Sequence, residues 1–152
     1  MAGIYIHIPY CKQKCHYCNF YSFASNKYRE VFTDSLLKEI NLRKYYLGEE
    51  SINTIYFGGG TPSMLNIDEI NKIINHLYDN YLINENAEIT LETNPDDLNN
   101  EKLEDLKKYT QINRLSMGVQ SFFDDDLKYL NRVHNSENSI KSIKLAKKAG
   151  FD

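Results

Sequence analysis

The three cysteines of this 152-residue sequence are the residues most able to do chemistry. They fall within eight positions, as Cys11, Cys15 and Cys18. The Cys-x3-Cys-x2-Cys spacing places three thiolates in one tight loop, as is needed to hold three corners of an iron–sulfur cube. Ordinary electron-transfer clusters take four cysteine ligands, and neither ferredoxin spacing matches this one. The sequence therefore predicts a cluster with one iron left open for another ligand.

A structural zinc site is the main alternative for the same thiolates. His7 or His16 could complete a Cys3His set, which is a recognised tetrahedral arrangement. Zinc ligands usually come as two separated pairs, whereas these three cysteines share one loop. An odd number of cysteines also argues against a disulfide framework. A reactive thiol without metal is a third interpretation.

Strands and helices that alternate along the sequence must position these cysteines. Short β-branched and aromatic runs predict strands over 4–8, 54–57, 87–92 and 114–119. Apolar periodicity predicts helices over 28–46 (stopped by Gly48), 67–81 (capped by Asn66 with Glu69), around 103–106 and 127–130, and over 140–149. Ile140, Ile143, Ala146 and Ala149 mark the apolar face of the last helix. This alternation implies an α/β fold with a parallel sheet, either in a barrel or in an open doubly wound sheet.

The chemically unusual residues follow the ends of the four predicted strands. The cysteines follow the first strand, glycines 58–60 end the second, Glu92 ends the third and Gln120 ends the fourth. Parallel α/β folds place their ligand sites at the carboxyl ends of the strands. We therefore expect the four loops to converge on one site.

The glycines and the carboxylate each allow two interpretations. Glycines 58–60 lack the order of a nucleotide P-loop, so they form either a plain tight turn or a place where a ligand approaches the backbone. Glu92 either binds hydroxyl or amino groups of a ligand or forms an ion pair with Arg114 or Arg132. Gln120 likewise either binds a ligand or has a structural partner within the protein.

Composition and charge exclude several classes of function. With 41% hydrophobic and 26% charged residues, the chain is globular rather than disordered. A net charge of only -3 gives no positive field that would attract nucleic acid or anionic lipid. No apolar run approaches the roughly 18 residues of a transmembrane segment, and the start lacks the basic region of a signal peptide. We therefore expect a cytoplasmic location.

The cysteine and glycine motifs resemble the radical SAM family of oxygen-independent coproporphyrinogen III oxidase and its relatives. The matching segments are 5–18, 58–63, 92–95 and 114–122. The resemblance implies a radical SAM partial TIM-type barrel, of which about four βα units are present. It also implies a 4Fe-4S cluster on the three cysteines, whose open iron chelates the amino and carboxylate groups of S-adenosylmethionine (SAM). An electron from the cluster would cleave SAM to a 5'-deoxyadenosyl radical.

The same resemblance assigns cofactor contacts to eight further residues. Two tyrosines would lie against SAM or the cluster, two glycines at the methionine amino group with the adjacent threonine as a further cofactor contact, and three polar residues around the rest. In that order the residues are Tyr5 and Tyr17; Gly59, Gly60 and Thr61; and Glu92, Gln120 and Arg132.

Phe20 separates two branches of this family. The true oxidase carries a further cysteine two residues after the third ligand, whereas this sequence reads Cys18-Asn19-Phe20. Phe20, together with Leu130-Asn-Arg-Val-His134, resembles the HemW branch, which is regarded as a heme chaperone. The heme-binding His-Asn-x-x-Tyr-Trp motif of that branch is missing from this sequence. The resemblance favours delivery of heme to an accepting protein over porphyrinogen decarboxylation, and leaves open whether the chain is an enzyme.

The number of βα units predicts that residues 1–152 form only the N-terminal part of the barrel. A closed (β/α)8 barrel needs about 250 residues, and only four units are visible here. We expect the chain to stop before strand five and to leave the edge of strand four exposed. Such an edge invites self-association, and an incomplete pocket should bind SAM poorly.

Overall fold

Four parallel strands and five helices make up the computed structural model, which describes residues 2–25 and 27–152. The strands are β1 (Ala2–Ile8), β2 (Ile52–Gly59), β3 (Ile83–Thr93) and β4 (Arg114–Met117). The helices are α1 (Arg29–Leu42), α2 (Ile67–Asn80), α3 (Asn100–Tyr109), α4 (Asp124–Tyr129) and α5 (Ser136–Lys148). Within these ranges, no helix combines the length and the apolar character that crossing a bilayer requires. The four predicted βα units are confirmed.

The sheet has the topology of one side of a barrel wall. Its strand order is β1-β2-β3-β4, so each strand pairs with its neighbour in the chain. The helices form one layer, in which α1 contacts α2, α2 contacts α3, and α3 contacts α5. On the other face of the sheet Thr54 and Glu88 are exposed, as is Tyr5. A doubly wound sheet would reverse its strand order and carry helices on both faces, so the arrangement is barrel-like.

Alternation along the strands builds the core between the sheet and the helices. Ile6 and Ile8 of β1, Ile55 and Phe57 of β2, and Leu91 of β3 are almost completely buried. Since successive side chains of a strand point to opposite faces, these residues share the face that the helices cover. The residues between them lie on the open face. Burial of this apolar set holds the carboxyl ends of the strands in register.

Helix α2 begins as the sequence predicted. The Asn66 side chain accepts a hydrogen bond from the Glu69 amide, and the Glu69 carboxylate accepts one from the Asn66 amide, both at 2.8 Å. This reciprocal pair is a capping box, which satisfies two amides that the first helical turn leaves without partners. Residues 70, 73, 74 and 77 of the helix are buried. The predicted apolar face is therefore confirmed.

Helix α1 is shorter than predicted. It ends at Leu42 and not near residue 46, because the following amides bond carbonyls three residues back. The Tyr46 amide, for example, donates to the Arg43 carbonyl at 2.8 Å. Gly48, with φ +59°, lies in this series of turns and does not terminate the helix.

Helix α5 buries a face that only partly overlaps the predicted one, because Ala146 is shared and Ile140 is not. Ser139, Ser142 and Ala146 are buried, whereas Ile140 is 46% exposed. The Ser142 hydroxyl donates to the Pro95 carbonyl at 2.7 Å, which fixes the helix against the turn after β3. The prediction located the buried face from the spacing of apolar residues, so it could not include serines that are buried with a backbone hydrogen-bond partner.

The end of the chain returns to β4. Phe151 is buried, and the Leu115 amide donates to the Asp152 carbonyl at 2.9 Å. This bond lies on the edge of β4 that faces away from β3. Residues 151 and 152 thus occupy the position next to β4 at which a further parallel strand would pair.

Candidate functional site

The loops that follow the four strands enclose one cavity of about 310 Å³. Ten of the eleven residues that the sequence assigned to a site line it: Cys11, Cys15, Tyr17, Cys18, Gly59, Gly60, Thr61, Glu92, Gln120 and Arg132. Tyr5 lies elsewhere, on the open face of the sheet, where its ring stacks on Tyr56 with the centroids 6.0 Å apart. The predicted convergence of four loops is therefore present.

The cysteines occupy a loop that is folded back on itself at its base. The Cys11 amide donates to the Phe23 carbonyl at 3.2 Å, and the Phe23 amide donates to the Pro9 carbonyl at 2.9 Å. Tyr10, which is almost fully buried, packs edge-on against Phe23 with the ring centroids 5.2 Å apart. All three thiols are free and partly buried. Such a loop presents three sulfur ligands to the cavity without a disulfide.

The side chains around the cysteines do not form a cage for a single metal ion. In the described ranges, no three His, Cys, Asp or Glu side chains converge closely enough to hold one. His7 Nε2 lies 2.8 Å from the Tyr21 carbonyl oxygen, and His16 Nδ1 lies 2.8 Å from that of Tyr129. A tetrahedral zinc site needs ligand atoms roughly 4 Å apart. Both histidines thus direct a ring nitrogen at a backbone carbonyl.

The glycine loop passes close to the base of the cysteine loop. The Gly60 amide donates to the Ile8 carbonyl at 2.7 Å, and the Thr61 amide donates to the Tyr10 carbonyl at 2.6 Å. A Cβ atom on Gly60 would lie 2.6 Å from the Tyr10 carbonyl oxygen and 3.0 Å from Cys11 Sγ. Gly59 has φ +109°, which side-chain-bearing residues rarely adopt. The glycines are thus required by the approach of the two loops, and the turn is more than a plain connection.

Glu92 accepts hydrogen bonds from neutral donors. Its Oε1 accepts from the Tyr56 hydroxyl at 2.7 Å and its Oε2 from the Gly59 amide at 3.2 Å. Burial raises the pKa of Tyr56, and the hydrogen bond to Glu92 adds to the increase. Arg114 pairs with Glu88 at 3.5 Å, and neither it nor Arg132 forms an ion pair with Glu92 in the described part of the chain. The alternative interpretation of Glu92 as half of a structural ion pair is therefore wrong.

Arg132 connects three of the loops. Its Nη2 donates to Asn94 Oδ1 at 2.6 Å and to the Gly118 carbonyl at 2.8 Å, and its Nη1 lies 3.3 Å from Cys15 Sγ. His134 lies behind it, fully buried, with Nε2 3.1 Å from the Val119 carbonyl oxygen. Burial lowers the pKa of His134, which favours the neutral imidazole. The guanidinium is thus held by protein acceptors.

Gln120 follows β4 in a strained conformation. Its φ is +66°, which is uncommon for a residue with a side chain. A Cβ atom on Gly118 would lie 3.2 Å from Gln120 Nε2. The short connection 118–121 therefore carries a side chain back over the cavity, and strain of this kind is often stored at binding sites.

Sequence reasoning missed two residues of the site. Tyr56 donates a hydrogen bond to Glu92. Because side chains alternate along a strand, the burial of Ile55 and Phe57 could have indicated that Tyr56 lies on the open face of β2. Asn131 bonds the cysteine loop from 117 residues away, and its φ is +59°. No pattern within the sequence indicates that contact.

Comparison with known proteins agrees with this geometry. The model of the radical SAM superfamily matches residues 5–152. The heme chaperone HemW of Buchnera aphidicola subsp. Schizaphis graminum is 39% identical over 148 residues, which are 96% of this chain and 39% of the relative. HemW of Bacillus subtilis is 35% identical, covering 100% of this chain and 40% of the relative. The chain thus spans about two fifths of the length of these curated relatives.

A solved structure shows the same fold. Coproporphyrinogen III oxidase (HemN) from Escherichia coli, a radical SAM enzyme, matches with a TM-score of 0.87 and 30% identity, over 98% of this chain and 35% of that protein. The chain therefore belongs to the radical SAM superfamily. Membership implies a 4Fe-4S cluster and SAM as cofactors.

Proposed function

We propose that this chain binds a 4Fe-4S cluster through Cys11, Cys15 and Cys18. The observation that carries the proposal is the convergence of three free thiols on one cavity together with a glycine that leaves Cys11 uncovered. His7 and His16, which would complete a Cys3His zinc set, each direct a ring nitrogen at a backbone carbonyl, and this supports a cube over a single zinc ion. When bound, the cluster would supply an electron, and SAM would be the precursor of the radical. The chain's own residues would orient the two within the cavity.

The proposed position of SAM is beside Gly59, Gly60 and Glu92. The amides of residues 59, 60 and 61 already donate to protein acceptors, so they are not free to bind a ligand, and the Glu92 carboxylate lies beside them. Such a surface suits an amino group or hydroxyl groups better than an anion. Tyr17, Thr61, Gln120 and Arg132 line the same cavity and are proposed contacts, while the role of Tyr5 rests on the family resemblance.

Anaerobic reconstitution with iron and sulfide tests the cluster. The chain should turn brown, bleach on reduction and lose its iron in Cys11→Ala, Cys15→Ala and Cys18→Ala variants. Lys141→Ala, an exposed change on α5, is the matched control and should take up iron like the wild type. A colourless wild-type protein with stoichiometric zinc would refute the proposal.

For the protein as a whole, we propose a HemW-type role as a heme chaperone. Relatives that carry this name are 33–39% identical to this chain. Phe20 occupies the position at which the oxidase has a further cysteine. It is an exposed aromatic residue at the mouth of the cavity. An exposed aromatic ring suits contact with a planar apolar molecule. Heme would then pass to an accepting protein.

Oxidation of coproporphyrinogen III is the second candidate function. The structural likeness to coproporphyrinogen III oxidase favours it. An anaerobic assay of the full-length protein with coproporphyrinogen III, SAM and a reductant separates the two functions. Steady formation of protoporphyrinogen would refute the chaperone role, whereas heme binding without turnover would support it.

A further inference from the structure

The turn at residues 129–132, which begins with the last residue of α4, contacts residues 13–17 of the cysteine loop. The His16 amide donates to the Leu130 carbonyl at 3.1 Å, and His16 Nδ1 lies 2.8 Å from the Tyr129 carbonyl oxygen. The Gln13 side-chain amide donates to both the carbonyl and the side-chain oxygen of Asn131, each at 2.8 Å. These partners are 113 to 118 residues apart in sequence. The contact is therefore made by the tertiary fold.

Asn131 is well suited to its place in this turn. Its φ of +59° lies in the left-handed region, which asparagine and glycine tolerate better than other residues. Its side chain accepts from Gln13 and donates to the Lys14 carbonyl at 2.8 Å. Glycine would supply the backbone conformation without either bond, and aspartate could not donate. Asparagine alone meets the backbone requirement and makes both bonds.

Arg132 extends the contact to a cysteine sulfur. Its Nη2 is fixed by Asn94 after β3 and by the Gly118 carbonyl after β4. This anchoring aims Nη1 at Cys15 Sγ, 3.3 Å away. The Nε atom is buried and has no hydrogen-bond partner among the described residues. A partly buried guanidinium held by these acceptors imposes a position on the cysteine loop.

We propose that the 129–132 turn is a template that holds the cysteine loop ready for cluster assembly, with Asn131 and Arg132 as positioning residues. This inference rests on the proposed cluster. Between β1 and α1 the described residues form neither strand nor helix, so the middle of the loop depends on outside partners. Without the template, iron binding would have to order the loop, and that entropy cost would weaken binding.

Arg132 should also affect the redox properties of the bound cluster. A charged N–H group directed at a ligating sulfur stabilises the extra negative charge of the reduced cluster. Replacing it with a neutral side chain should lower the reduction potential. Arg132→Lys keeps the charge but loses the planar fork, so its potential should fall between those of the wild type and Arg132→Gln.

Hydrogen exchange of the metal-free chain tests the template directly. In Asn131→Ala the His16 amide should exchange roughly tenfold faster than in the wild type, because the bonds that hold the turn on the loop are lost. Asn131→Gly keeps the backbone angle and should show a similar effect, which isolates the side-chain bonds. Arg43→Gln, which removes an exposed ion pair on α1, is the control and should leave this amide unchanged.

Anaerobic reconstitution completes the test. Both Asn131 variants should retain less iron per chain than the wild type, and Arg132→Gln should show the lower potential. Wild-type exchange, iron content and potential in these variants would overturn the template while leaving the proposed cluster intact. A wild-type chain that takes up no iron would overturn both proposals.

Discussion

Replacing Gly60 with alanine should damage both the fold and the candidate cluster site. The new Cβ would lie 2.6 Å from the Tyr10 carbonyl oxygen, 3.0 Å from the Ile8 carbonyl oxygen and 3.0 Å from Cys11 Sγ. Two of these are backbone atoms, which cannot rotate away, so the glycine loop must move from the end of β1. Overpacking of this kind costs about 1–3 kcal/mol. A loss of about 2 kcal/mol would lower the Tm by roughly 4–8 °C in a domain of this size.

Gly48→Ala separates steric overlap from backbone strain. Gly48 has φ +59° with no atom near its missing Cβ, so alanine there meets strain of about 1–2 kcal/mol but no overlap. Thermal unfolding followed by circular dichroism and iron analysis after anaerobic reconstitution measure the two effects. Gly60→Ala should lower both Tm and iron content, and Gly48→Ala only Tm. Wild-type values of both in Gly60→Ala would refute the steric reasoning.

Three further predictions concern a carboxylate at the site, a carboxylate on α2 and the sheet edges. Glu92→Gln should lower the pKa of Tyr56, because the negative charge of Glu92 helps burial to raise that pKa, whereas glutamine keeps an acceptor oxygen without the charge; ultraviolet titration against Tyr56→Phe measures the shift. Burial raises the pKa of Glu69, but hydrogen bonds from Arg29 and the Asn66 amide outweigh it and lower the pKa. The stability that the Glu69–Arg29 pair contributes should therefore be complete above the pKa that Glu69 has in the unfolded chain, and it should be lost as the pH falls through the pKa that Glu69 has in the folded chain. In urea unfolding, the free energy of unfolding of Glu69→Gln should decrease less at acid pH than that of the wild type. The chain should self-associate through the outer edge of β1, because residues 151 and 152 already cover the outer edge of β4, and a monomer in light scattering at high concentration would contradict this.

Local signals in the sequence were sufficient for most of the fold. Period-2 runs indicate the strands, and Asn66 with Glu69 marks the start of α2, because both patterns depend on neighbours within one element. The signals failed where a helix end or a buried face depends on contacts elsewhere. The end of α1 at Leu42 and the burial of Ser142 against Pro95 are of this kind.

The candidate site could be predicted as a set of residues but not as a geometry. Strand ends brought the cysteines, glycines and Glu92 together, since parallel strands share one carboxyl edge. The partners of Glu92 could not be read in the same way. Arginine is the expected partner of a buried carboxylate, yet the fold directs Arg114 to Glu88 and Arg132 to Asn94. Which arginine meets which acceptor depends on the register of β3 and β4, and that register is a tertiary property.

The placement of these arginines gives the cavity an uneven charge. Glu92 contributes a carboxylate whose two hydrogen bonds come from neutral donors, so its negative charge is not compensated by an ion pair in the described ranges. Arg132 lies at the cysteine side, directed at a sulfur. A half-buried charge without a counter-ion is costly, and a fold that keeps one beside a glycine loop favours a ligand that brings the opposite charge. SAM carries a permanently positive sulfonium group, so its binding would lower the energy of a carboxylate that the protein alone leaves uncompensated.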